Sequence, residues 1–294
     1  MKKLLCNFCK KECVEIVSLR HFFYKCENCK NIKRSFKKKI NLFDFFLWTP
    51  LYRLSNYGKK KKNQFDYYLN VKKNYDYKGD KFYLIQNFIK LKNIKSVLEI
   101  SAGSGLVGYH LKEKLKINYD MTEFNQKLVD NMKKFKMNSY ILDLDNIDKN
   151  KVPKKKYDLI ILYYSIYYCK NLKKLILFLK NKLKKNSYIM INQNIPNFAC
   201  ATKFSIMENY PPYIFYDSNY LIKKFREYRV NVDTYQERYI GNFISHYFFK
   251  FTNMKFFIYH LIQLFLSLYY ILRNFTKIRY KDLILRDYII IFKN

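Results

Sequence analysis

The chain is poor in glycine, proline, tryptophan and negative charge. Its 294 residues include 6 glycines, 5 prolines, 1 tryptophan and 4 histidines, and 23 acids face 57 lysines and arginines. The N-terminus, MKKLLCNFC, is basic but lacks the apolar stretch and small-residue cleavage site of a secretory signal, so the chain is read as cytoplasmic. A disulfide framework is not expected either. The seven cysteines (6, 9, 13, 26, 29, 169 and 200) are odd in number and clustered, which suits reduced thiols and a metal. Apolar material is not short: 49% hydrophobic residues exclude a disordered chain and provide for one domain with attachments, or two small ones.

The shortage of acids leaves a formal net charge of +34. Abundant Lys, Asn, Ile, Tyr and Phe with scarce Gly and Pro are the marks of AT-rich coding, which accounts for the lysines but not for the missing acids. The remainder implies an anionic partner: nucleic acid, a membrane surface or a phosphorylated substrate.

Two CxxC turns, Cys6/Cys9 and Cys26/Cys29, stand sixteen residues apart. Each turn presents two thiolates, and the pair has the spacing that closes four soft ligands tetrahedrally around structural zinc. Cys13 is left over and is read as an ordinary buried cysteine, and His21 as a surface residue. The intervening VEIVSLRHFFYKC suits a ribbon hairpin, giving a zinc-ribbon-like segment over 1–38. All four positions are thiols, so no open site remains for catalysis. Residues 39–80, with a Lys59–Lys62 run, form a basic aromatic connector.

Three of the six glycines fall at 103, 105 and 108, inside VLEISAGSGLVG (97–108). An apolar strand running into a Gly-rich turn and then a helix is built to hold a nucleotide-like ligand. Downstream, strands are expected over 96–100, 117–124, 139–144, 157–164 and 187–193. Helices are expected to about 116 and over 126–135 and 171–183, with another over 82–91. Asn125 caps the 126–135 helix, and Leu128, Val129 and Met132 form its buried face. Strands alternating with helices imply a doubly wound α/β fold on a mostly parallel sheet. GSGLVG also fits the dinucleotide fingerprint, but Glu99 in the strand would face a dinucleotide's phosphates; a cationic amine-bearing ligand tolerates it.

These residues resemble the class I S-adenosylmethionine-dependent methyltransferases. VLEISAGSG is similar to that family's first motif, with Ser101 where a glycine is usual. The resemblance implies a Rossmann-like seven-stranded sheet over 81–294, with S-adenosylmethionine cradled by Glu99, Ser101, Ala102, Gly103 and Gly105. It implies an acid closing the second strand that takes the ribose hydroxyls: Glu123 by the register of the next helix, with Phe124 covering the adenine, and Asp120 as the alternative. It places Asp143 (or Asp145) and Leu144 at the adenine, and Tyr163 and Ser165 beside the reacting methyl. Tyr164 and Tyr168 are candidates to position or deprotonate an acceptor; His110 is read as a packing residue.

Toward the C-terminus, Ser218 is a plausible helix cap and strands are expected over 230–238 and 287–293, leaving 239–286 as a helical insertion. It contains seventeen uncharged residues, 256–272, short of the roughly twenty that span a bilayer. That segment docks on protein or lies on an anionic membrane. The layout resembles methyltransferases acting on small molecules, sugars and glycolipid or polysaccharide precursors. The alternatives are an RNA or DNA methyltransferase and a non-catalytic zinc-bearing scaffold at a membrane.

Overall fold

The computed structural model describes residues 4–16, 23–35, 80–149, 151–207, 212–242, 265, 268, 272 and 278–294. The connector 39–80, apart from Asp80, lies outside them, as do His21 and most of 256–272.

Apolar runs punctuated by amphipathic helices produce the alternation expected. Helix α1 (Asp80–Leu91) precedes β4 (Ser96–Ile100), α2 (Leu106–Leu115), β5 (Asn118–Glu123), α3 (Gln126–Lys134), β6 (Asn138–Ile141), β7 (Tyr157–Tyr163), α4 (Leu172–Lys182) and β8 (Leu183–Asn194). After α5 (Phe198–Met207) and α6 (Ser218–Glu227) come β10 (Asn231–Asn242) and β11 (Ile284–Lys293). These strands form one seven-stranded sheet in the order β10-β11-β8-β7-β4-β5-β6. Its centre is parallel, with Leu98 of β4 opposite Asp120 of β5 and Ile160 of β7.

β4 and β7 are buried on both faces, which is why they read as near-continuous apolar runs. Ile85, Val97, Leu111, Tyr119, Met121, Val129, Met132, Leu159, Ile161 and Met190 pack into one core beneath α1, α2 and α3. Each such side chain contributes about 1.5–3 kcal/mol. Asn125 caps α3 by accepting from the Lys127 amide at 3.0 Å, and Val129 and Met132 are fully buried while Leu128 is half-buried. Asn171 caps α4 in the same way.

The N-terminal strands β1 (Cys13–Ile16), β2 (Phe23–Cys26) and β3 (Ile32–Arg34) form an antiparallel sheet completed by a distant strand, β9 (Ile214–Phe215). Ile32 lies opposite Phe215 and Lys33 opposite Ile214. Phe23, Ile32 and Phe215 are fully buried, and Phe8 meets the rings of Tyr216 and Tyr220 edge-on at 6.0 and 5.3 Å. Asn31 Oδ1 accepts the Asp217 amide, and Tyr213 O accepts that of Arg34. The ribbon therefore borrows a strand from the segment just ahead of α6.

Ser218 is the first residue of α6, and the cap is Asp217. Its carboxylate accepts from the amides of Asn219 and Tyr220 at 3.0 and 3.3 Å, a charge-assisted version of the bond a serine would make. β10 reaches Asn242 and β11 begins at Ile284, so the segment between them is shorter than 239–286. A bidentate pair joins these strands, with Arg238 Nε and Nη2 donating to the fully buried Asp287 at 3.1 and 2.9 Å. No helix among the described residues is long and apolar enough to cross a membrane.

Candidate active site and metal centre

The turn after β4 is left-handed at alternate residues: φ is +57° at Ser101, +63° at Gly103 and +71° at Gly105. Ser101 thus takes up the conformation a glycine would adopt, helped by Thr122 Oγ1, which accepts its amide at 3.3 Å. The two glycines serve different ends. A Cβ on Gly105 would fall 2.4 Å from Met132 Sδ and 2.7 Å from Met132 Cγ, whereas one on Gly103 would meet nothing within 4 Å. Gly105 lets the turn pack on α3; Gly103 leaves open space over the turn, a cradle of the kind a cofactor needs.

Gly105→Ala should therefore destabilise the fold by about 2–4 kcal/mol, from overpacking plus left-handed strain. Gly103→Ala should cost only about 1–2 kcal/mol of strain while obstructing ligand binding. Thermal melts and ligand titrations on the two variants check this contrast.

Glu123 closes β5 against this turn. It is buried, with Oε2 accepting the Gly103 amide at 3.0 Å and Oε1 the Phe124 amide at 2.9 Å. Burial pushes its pKa up, and those backbone donors oppose the shift. Phe124 beside it is 62% exposed, a flat apolar face left open at a strand end.

Asp120 lies elsewhere. It is fully buried and accepts from Tyr157 OH at 2.7 Å and Asn138 Nδ2 at 3.1 Å, at the starts of β7 and β6, and pairs with Lys155 at 2.7 Å. These partners hold it away from the glycine turn.

Glu99, also buried, is held by Lys81 Nζ at 2.5 Å and Tyr119 OH at 3.0 Å. Asp143 is turned into its own loop, accepting from the Asp145 amide and Asn146 Nδ2 at 2.8 and 2.7 Å, while Asp145 pairs with Lys170. Leu144 between them is buried.

At the end of β7 the Tyr163 and Tyr164 rings meet edge-on at 4.8 Å. Tyr164 has φ +55°, a conformation a bulky residue holds only when its surroundings enforce it, and its amide donates to Asn192 O at 2.9 Å. Ser165 Oγ donates to Ile100 O at 3.3 Å, tying β7's exit to β4's. Tyr168 is half-buried with its ring edge-on to Tyr167, and His110 sits along α2 with its ring against Tyr109.

Sequence reasoning missed Lys81 and the buried amides Asn192 and Gln193 at the end of β8. INQN, amides ending an apolar strand, carried a signal for the latter; one lysine in a lysine-rich chain carried none.

In the ribbon, the Sγ atoms of Cys6, Cys9, Cys26 and Cys29 all lie within 4.8 Å of one another, with Cys6–Cys29 at 3.5 Å and Cys9–Cys26 at 3.4 Å. A tetrahedral zinc thiolate site, with Zn–S of about 2.3 Å, needs sulfurs nearly that close. The two knuckles repeat one another. Lys10 and Lys30 have φ of +61° and +58°, and their amides donate to Cys6 O and Cys26 O, each at 2.9 Å. Cys13 stands in β1 opposite Cys26 and outside the four-thiol group.

A parallel sheet whose central strand ends in a glycine cradle, flanked by a buried acid on the neighbouring strand, defines a doubly wound α/β protein that holds a nucleoside-bearing ligand. The comparisons make this specific. The family model described as "Methyltransferase domain" matches residues 71–238. The chain belongs to this family and is an S-adenosylmethionine-dependent methyltransferase.

Similar solved structures include the YcgJ protein of Bacillus subtilis (TM-score 0.51, 10% identity, covering 72% of this chain and 97% of that one). The MccD protein is alike to the same degree (TM-score 0.51, 13% identity, 72% and 96%). A methyltransferase from Archaeoglobus fulgidus is 18% identical, covering 78% of this chain and 99% of that one, with a TM-score of 0.47. At these identities the likeness is one of fold. Comparison with curated proteins returns no match.

Proposed function

We propose that the chain methylates a small, hydroxyl-rich acceptor of the sugar or glycolipid-precursor class, and that its four-thiol group holds structural zinc. The observation that carries methyl transfer from S-adenosylmethionine is the cradle: open space over Gly103, with the buried Glu123 carboxylate donated to by the Gly103 and Phe124 amides. A diol of a ribose suits that carboxylate, which has two oxygens and four acceptor sites. Phe124 covers the base, Asp143 and Leu144 border it, and Ser101, Ala102 and Gly105 shape the turn.

S-adenosylmethionine, when bound, supplies a methyl group on a sulfonium that departs as a neutral thioether. The protein's share is alignment and exclusion of water. Tyr163 and Tyr164, both half-buried where β7 ends, offer aromatic faces that suit stacking against a sugar ring. Tyr164, fixed by its left-handed backbone, orients the acceptor hydroxyl by accepting its hydrogen bond. Phe265, Leu268 and Leu272 are helical and exposed, at spacings that put them on one face. With the net charge of +34 they favour a lipid-linked acceptor at an anionic surface.

The test is calorimetric titration with S-adenosylhomocysteine, followed by turnover with free and lipid-linked sugar acceptors and RNA. Micromolar binding and methylation of the sugar-bearing acceptors are expected. Folded protein that binds no S-adenosylhomocysteine would sink the cofactor reading, and methylation of RNA alone would replace the acceptor class.

A further inference from the structure

Beside its four thiols the ribbon holds a cavity of about 150 Å³, walled by residues 4–8, 13, 24, 31 and 33–35. No acid is among them. Lys33 lies opposite Tyr24 across β2 and β3, so the two side chains share one face of the sheet. Lys33 is half-buried, and no carboxylate of the described residues pairs with it. Arg34, its guanidinium 4.9 Å from the centre of the Tyr213 ring, borders the same space. Asn31, only 2% exposed, says most about the ligand. Its Oδ1 accepts the Asp217 amide at 2.6 Å, which fixes the orientation of the side-chain amide. Its Nδ2 then meets no acceptor among the described residues. A buried donor left in this way costs free energy, which a ligand bringing an acceptor restores. Leu4 and Leu5, 42% and 53% exposed, stand at the mouth.

We propose that this cavity binds the phosphate group of a phosphate monoester whose substituent is apolar. The site is independent of methyl transfer. Two cations, an orphaned amide donor and no acid select an anion, since a cation would leave the Asn31 donor unmatched. A carboxylate has two oxygens in one plane, whereas a phosphate monoester presents three terminal oxygens to donors on separate walls. Pockets for whole ligands run to about 300–1,000 Å³, so this one takes a single group of a larger molecule. The ester substituent then lies over Leu4 and Leu5 and removes their exposed apolar surface from water. Zinc on four thiolates would bring negative charge to the neighbourhood. The ribbon nevertheless stays cationic, because residues 1–38 hold 11 lysines and arginines against 3 acids.

The experiment uses the full purified chain and three probes: butyl phosphate, inorganic phosphate and butanol. Each is titrated calorimetrically at constant ionic strength into wild-type protein, Lys33→Met, Asn31→Asp and, as a control outside the cavity, Lys11→Met. Butyl phosphate is expected to bind more tightly than inorganic phosphate, and butanol not to bind. Lys33→Met should weaken butyl phosphate about 10-fold, the effect of one charge-assisted hydrogen bond. Asn31→Asp keeps an oxygen for the Asp217 amide but sets a like charge against the phosphate. It should weaken binding about 100-fold or more. Lys11→Met should change it by less than about twofold. Thermal melts certify that each variant is folded; should Asn31→Asp not fold, Lys33→Met decides. Vesicles of phosphatidylcholine with and without phosphatidic acid then distinguish the sources of the phosphate. Binding to the acidic vesicles that Lys33→Met weakens identifies a membrane lipid; butyl phosphate binding without it identifies a soluble ester.

Equal weakening by Lys33→Met and Lys11→Met would mean diffuse attraction to the net charge and overturn the proposal. A Lys33→Met protein that melts lower yet binds butyl phosphate as before would make Lys33 a counter-charge to the thiolates, and overturns it too. Wild-type protein that binds butyl phosphate no better than butanol does the same.

Discussion

Glu123→Ala is expected to weaken S-adenosylhomocysteine binding by about 100-fold or more, because it removes two charge-assisted hydrogen bonds of about 1.5–3 kcal/mol each. Only the ionised carboxylate can accept from both ribose hydroxyls while keeping the Gly103 and Phe124 amides satisfied. Burial raises the pKa of Glu123, so this ionised form is lost at a higher pH than for an ordinary glutamate. Two pH dependences of opposite sign follow. Cofactor affinity falls as pH is lowered through the raised value. The folded state, holding the proton more tightly than the unfolded chain, gains stability over the same interval, and that gain disappears as pH rises past the folded-state pKa. Glu123→Gln, which keeps the volume and cannot ionise, should flatten both curves. Titration calorimetry and thermal melts across the acid range read the two slopes separately. An affinity independent of pH in the wild type, or a Glu123→Ala loss of threefold or less, would show that the ribose is held elsewhere.

The part of the fold nearest this site was the most legible in the sequence, for a physical reason. β4, β7 and the second half of β8 are apolar runs bounded by polar or glycine breaks, and each helix between the strands carries one buried stripe, so period and punctuation agree. Asn125 and the Val129–Met132 face of α3 emerge from that agreement. β9 does not, because two residues, Ile214 and Phe215, inside an aromatic loop carry no period; their strand character comes from pairing with Ile32 and Lys33. The choice of Asp217 over Ser218 turned on one residue of register at a helix start, where pattern is weakest. Among the residues gathered at the glycine turn, Glu99, Gly103, Gly105 and Glu123 were visible as a motif, whereas Lys81 became visible only through the tertiary contact that sets it against Glu99. Asp120 and Glu123 sit three residues apart on one strand, so they point to opposite faces, and only the partners of each assign them. Tyr157, Asn138 and Lys155 claim Asp120, and the glycine turn claims Glu123.

With zinc on the four-thiol group as proposed, its removal is expected to unfold the ribbon and β9 together while leaving β4–β8 protected. The ribbon's buried apolar side chains are few, chiefly Ile16, Phe23, Ile32, Ile214 and Phe215. At about 1.5–3 kcal/mol each, they do not offset the ordering entropy of some thirty residues at about 1–2 kcal/mol each. Metal binding to a four-thiol group is folding free energy, the contribution that so small an apolar core does not supply. Loss of the metal releases the two knuckles, and with them the strand β3 on which β9 depends. The Asn31–Asp217 and Phe8–Tyr220 contacts that anchor the start of α6 then go as well. Hydrogen exchange after chelation should accordingly show new exposure at 13–16, at 23–34 and at 213–217, the last some 180 residues away in sequence but joined to the others in one sheet. Cys26→Ser should reproduce this pattern, since Cys26 belongs to the four-thiol group and is buried in the ribbon core, whereas Cys13→Ser, outside that group, should not. A ribbon that stays protected after chelation, or purified protein carrying no zinc, would mean that packing against β9 alone holds the N-terminal strands.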